Sequence, residues 1–153
     1  MANQNRFRKV AGKTFIPVDK ATVIEIGDML FLSSGKAVPA SSVTWNTDLA
    51  TTQADLKNGF LGVAMQASTD QDEEPVLFMY DGVFEFVADS DSYTVGALIG
   101  AAKASGDALE NQKIDDAVAA GAIGIVHEDA PASSTKVFAR IRSQVMDGIK
   151  IGE

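Results

Sequence analysis

The hydrophobic pattern is organised around residues 76–100, VLFMYDGVFEFVADSDSYTVGALIG, which read as strand, tight turn, strand, acidic loop, strand. Residues 76–80 form an apolar run of strand length. Asp81-Gly82 follows, and Gly tolerates the positive φ that a primed two-residue turn demands. Val83, Phe84, Phe86 and Val87 resume the apolar pattern, broken by Glu85. The expectation is a hairpin turning at Asp81-Gly82. Phe78, Tyr80, Phe84 and Phe86 lie close together in sequence, so the largest cross-strand burial is expected here. Asp89 to Asp91 reads as a polar turn after the second strand.

Shorter β-rich runs flank this region. Strands are expected over 14–16, 22–26, 29–32, 36–38, 60–65, 97–99, 123–126 and 136–142. In the last of these Val137, Ala139 and Ile141 share one face, the cleanest amphipathic alternation in the chain. Residues 44–59 change character. The expectation is a short helix capped by Thr47 and stopped at Asn58-Gly59, with Trp45 anchoring the loop before it on the core. Residues 101–122 are rich in Ala and Gly. Ile114, Ala117 and Val118 have helical spacing, so a helix ending near Gly121 competes with a loop carrying small strands.

Two segments repeat one order of signals. VIEIGDMLFLSSGKAV, then FLGVAMQAS, a polar loop and VLFMYDGVFEF, is echoed by YTVGALIGAAKASGDAL, AIGIVHEDA, a polar loop and KVFARIRSQVM. Gly62 and Gly124 hold the same place in both, and a Gly inside a strand marks a bulge, a bend or a close backbone approach. Together these features predict a mainly β chain. Short antiparallel strands build one compact domain over 14–146, a small barrel or sandwich of two related halves. One or two short helices accompany it, with a flexible basic arm over 1–13 and a tail over 147–153.

Composition narrows the function classes. The 153 residues suit one domain with a real core, and 46% hydrophobic with 22% charged residues is a globular balance. No apolar run approaches the ~20 residues of a membrane span, and MANQNRFRKV lacks the apolar centre of a signal peptide. Cys is absent, which excludes disulfides and thiolate metal sites and suits folding in a reducing cytoplasm. The net charge of −8 is unevenly spread. Arg6, Arg8, Lys9 and Lys13 make residues 1–13 basic, leaving −12 on the rest. Such an acidic body disfavours nucleic acid as partner, since phosphate neutralisation needs clustered cations. The basic arm is instead a candidate for docking on another protein.

Catalytic signatures are sparse. His127 is the sole histidine, it adjoins Glu128 and Asp129, and no nucleophile elbow surrounds any Ser. The acidic clusters Asp70, Asp72, Glu73, Glu74 and Asp89, Asp91 lack the spacing of a calcium loop. SSGKAV lacks the first Gly and the following Ser or Thr of a phosphate loop. No cofactor, no metal and no catalytic residue is expected.

The order of IEIGDMLFL, FLGVAMQAS and VLFMYDGVFEF, then GDAL, AIGIVHEDA and KVFARI, resembles the head decoration, or cement, proteins of tailed bacteriophages over about residues 14–142. The resemblance implies a non-enzymatic structural protein, made in the host cytoplasm and located on the outer surface of the virion capsid. It implies binding to the major capsid protein of the mature head as a homotrimer that bridges capsomers. Weak contacts would be multiplied by multivalency. The arm residues Arg6, Arg8, Lys9 and Lys13 are compatible with a terminal clamp on the capsid. The alternative is a β-sandwich or barrel binding module, for example for carbohydrate, for which Trp45, Tyr80 and Tyr93 are the candidate platform rings.

Overall fold

Among the described residues ten strands and two helices fall into two successive units. The structure is a computed structural model that describes residues 12–147, and of Ser90, Ala132 and Asp147 the backbone alone. The first unit contains β1 (Lys13–Ile16), β2 (Met29–Ser33), β3 (Lys36–Pro39), α1 (Leu49–Gly59), β4 (Phe60–Ala64) and β5 (Val76–Met79). The second contains β6 (Asp81–Tyr93), β7 (Leu98–Lys103), β8 (Leu109–Asp116), β9 (Gly124–Val126) and β10 (Ala130–Arg142), followed by α2 (Gln144–Asp147). The first sheet has the order β1-β5-β4-β2-β3, and the second unit is a closed barrel, β10-β6-β8-β7-β9.

The two units have the same antiparallel pairings. β2 pairs with β3 and β4, β4 with β5, and β5 with β1. In the barrel β7 pairs with β8 and β9, β9 with β10, and β10 with β6. The register also repeats. Met29↔Val63↔Met79↔Lys13 corresponds to Leu98↔Ile125↔Arg140↔Val83. Turn bonds repeat too: Gly27 N–H donates to Ala64 O at 2.8 Å, and Gly96 N–H to Val126 O at 2.9 Å. The expected pair of related halves is therefore present, with the chain split after β5 and DGVFEF opening the second half.

The units differ in closure. A thirteen-residue β6 reaches β8 and pairs in parallel through Val87↔Lys113 and Ala88↔Ile114. In the first unit β1 ends at Ile16, and the two edges are joined where Ala37 N–H donates to Pro17 O at 2.9 Å. Proline has no N–H with which to extend a ladder. The same ion pair spans both seams: Lys36 meets Asp19, and Lys113 Nζ lies 2.5 Å from Asp89.

Each unit has its own interior. Leu30, Ala37, Ala64 and Phe78 fill the first, and Ile99, Ile114, Val126 and Ala139 stand at the same positions in the second. The large ring of Phe78 is offset by Ala37 and Ala64, while small Ala139 is met by Ile114 and Val126. Volume is thus kept with different residues. Val137, Ala139 and Ile141 are all buried, as their alternation predicts.

Three expectations are corrected. β5 and β6 do not form a hairpin; they belong to different sheets. Tyr80 is the crossing point, its N–H donating to Gly12 O at 2.6 Å and its carbonyl accepting from Ser143 N–H at 2.8 Å. Gly82 is small because the Met79 side chain occupies the space a Cβ would need. The four aromatics consequently divide, Phe78 going to the first core and Phe86 to the second. Asp89 to Asp91 is strand, not turn, since β6 runs through it. Residues 22–26 contribute one bridge, Ile24↔Ser68, and not a strand. Residues 101–122, for which a helix and a loop with small strands are both open in the sequence, take the second form: β7, β8 and a short 3-10 turn at Ala119–Gly121, with Ile114 in the barrel.

The helix expected over 47–59 is α1, although its cap is Asp48, whose carboxylate accepts from Thr51 N–H at 2.8 Å. Thr47 adopts φ +66° just outside it.

Candidate interaction surface

The residues proposed for chemistry are engaged in structure. His127 is exposed at the end of β9, with its N–H donating to Phe138 O. The neighbouring Asp129 carboxylate accepts from Val95 N–H at 2.8 Å and so fixes the turn before β7. In the 70–74 loop Asp72 accepts from Glu74 N–H, and Asp70 from the Gln71 amide. Asp89 pairs with Lys113, and Asp91 accepts from Ser92 N–H. Among the described residues no group of three or more His, Asp or Glu is placed to hold a metal ion.

The three candidate platform rings have separate duties. Tyr93 is buried in the barrel and donates to Asp89 O at 3.3 Å. Burial, reinforced by the charges of Asp115, Asp116, Asp91 and Asp89, raises its hydroxyl pKa to about 12. Tyr80 packs against Phe78, with ring centroids 6.3 Å apart. Trp45 lies half-buried against the core with Lys103 Nζ 4.8 Å from its ring centroid, a cation–π distance. Trp45 therefore anchors its loop as expected, with one ring face occupied.

Of the basic arm, Arg6, Arg8 and Lys9 lie outside the described residues. Lys13 begins β1, opposite Met79, with its side chain exposed.

The surface that stands out was invisible as a motif. On the outside of the barrel Leu98, Ile125 and Val83 are 37%, 41% and 42% exposed, and Phe138 is exposed beside them. They come from β7, β9, β6 and β10, and alternation directs them away from the buried Ile99, Val126, Phe86 and Ala139. Charges lie within and beside the patch: Arg140, between Ile125 and Val83 in the register, bonds Asp81 through Nε at 3.2 Å, and Lys136 lies 3.5 Å from Glu85. Two adjoining hollows, about 270 and 200 Å³, share Gly124, Ile125 and Arg142. The arrangement combines exposed apolar side chains with the Arg140–Asp81 ion pair in a shallow relief, features found at protein-contact surfaces. Each strand shows only a few exposed apolar residues in the sequence; their adjacency is created by pairing.

Helix α1 ties the units together on another side. Buried Gln53 donates to Ala101 O at 2.9 Å and Asp116 O at 3.3 Å. Gly100 and Gly121 leave room for it, since a Cβ at either would crowd the Gln53 side chain.

No protein-family model matches the chain, and no curated protein matches its sequence.

Proposed function

We propose that this chain is a structural decoration protein that binds the outer surface of a mature phage head and stabilises it by bridging capsomers. The observation that carries the reading is the sequence resemblance of both halves to cement proteins, with a twofold β unit beneath it. Support comes from a surface suited to protein contact and from the engagement of His127's neighbour and the acidic side chains in turns and ion pairs. The major capsid protein would be the partner and the outside of the virion the location, with three copies assembled at each site. The basic residues Arg6, Arg8, Lys9 and Lys13 would add an electrostatic grip. No catalysis is assigned. A carbohydrate-binding role draws less support, because Tyr93 is buried and Trp45 carries Lys103 over its ring.

Co-sedimentation tests the proposal. The purified chain is mixed with mature particles stripped of their decoration protein and with unexpanded precursors. Saturable binding to the mature shell alone is expected, weakened when residues 2–13 are deleted. Absence of binding to either particle would overturn the decoration role.

A further inference from the structure

The repeat leaves one surface covered in the first unit and bare in the second. In the first unit Met29 and Val63 lie side by side across β2 and β4, next to Met79 of β5. Met29 is 0% and Val63 1% exposed. They do not join the first unit's interior, where Leu30, Ala64 and Phe78 reside. They belong instead to the core that includes Phe86, Ile114 and Ile141 of the barrel. The Met79 side chain packs on Gly82, where β6 begins, and Gln112 of β8 reaches across to Asp28 Oδ1 at 2.9 Å. The outer face of the first unit is therefore covered jointly by the second unit and by α1 and α2.

The corresponding row in the second unit is Leu98, Ile125, Arg140 and Val83. Among the described residues nothing is seated on it, and its three apolar members are exposed. The turns give the same contrast. Gly27 is covered by the Gln112 amide, whereas the equivalent Gly96 has open space where a Cβ would stand.

We infer that this outer face of β7, β9, β10 and β6 receives the first unit of a second copy of the chain, head to tail. The copy would present the end of its first unit that holds the exposed Ser34-Gly35 turn. That turn corresponds to the β8 segment around Gln112, which reaches Asp28 within the chain. The contact is heterologous, so it yields a ring when the rotation closes and a filament when it does not. Arg140 stands where Met79 does, and its pairing with Asp81 reduces the cost of enclosing its charge. The inference does not rest on the capsid reading.

Sedimentation velocity of the full chain over a concentration series is the test. Concentration-dependent association is expected, weakened at least tenfold by Ile125→Asp or Leu98→Glu, with unchanged circular dichroism. The chain lacks cysteine, so trapping is clean. Mixing Ser34→Cys with Val95→Cys protein should give a disulfide-linked heterodimer faster than either variant links to itself. A chain that stays monomeric at the highest soluble concentration would overturn the inference. Association indifferent to both face substitutions would do the same, as would its loss on deleting residues 2–11 alone.

Discussion

Gly62 and Gly124 occupy one structural position twice. Each faces the opposing strand's backbone so closely that a Cβ would overlap a carbonyl oxygen, that of Met79 for Gly62 and that of Arg140 for Gly124. Gly62 also sits at φ +149°, a conformation side chains rarely adopt. Gly62→Ala is expected to destabilise by about 3 kcal/mol or more, since backbone and not a flexible side chain must yield. Gly124→Ala should cost about 2 kcal/mol from the overlap alone. Gly35→Ala is the control: φ is +78° but the space is open, so about 1 kcal/mol is expected. Urea unfolding of the three variants checks the order.

Gln112 joins the units through a buried acceptor. Asp28 is 3% exposed, and its two oxygens accept from Glu25 N–H and the Gln112 amide, both at 2.9 Å. Gln112→Ala leaves Asp28 Oδ1 without that donor, at an expected cost of about 1–3 kcal/mol. Gln112→Glu should cost at least as much, because it sets two carboxylates together. Equilibrium denaturation in which Gln112→Ala is neutral would show that the seam is held by apolar packing.

Gln53→Ala should loosen α1 from the barrel. The substitution strands the Ala101 and Asp116 carbonyls and opens space above Gly100 and Gly121. A loss of about 1–3 kcal/mol is expected. Hydrogen exchange should accelerate in α1 before it does in β10.

Alkaline pH should destabilise the protein through Tyr93. Its pKa lies at about 12 in the folded chain against 10.0 ordinarily. A raised folded value means that the native state holds the proton more tightly. The associated stability is complete below pH 10 and is lost as pH rises to 12. Solvent screening holds this contribution to about 1–2 kcal/mol. Tyr93→Phe gives up the 3.3 Å bond to Asp89 O but should lose less stability than the parent between pH 9 and 12. Thermal unfolding across that range distinguishes the two.

Much of this architecture was legible in the chain because its causes are local. Period-two alternation placed Val137, Ala139 and Ile141 inside. The Thr47 and Asn58-Gly59 signals bounded α1 to within a residue or two, although the cap is Asp48. The repeated apolar-Gly-apolar strands exposed the duplication, since both copies meet the same close approach at Gly62 and Gly124. Pairing partners are not local. Asp81-Gly82 has the composition of a turn, yet Gly82 is required by the Met79 side chain, which belongs to the other unit's outer face. Ile114 has helical spacing to Ala117 and Val118, yet ladder bonds to β7 and β6 make it strand. The bare face exists because strand pairing sets Leu98, Ile125 and Val83 side by side around Arg140, although they are distant in sequence. Whether such a row is covered depends on what the chain folds against it: the helices and the barrel enclose Met29 and Val63, and among the described residues nothing encloses Leu98 and Ile125 to the same degree.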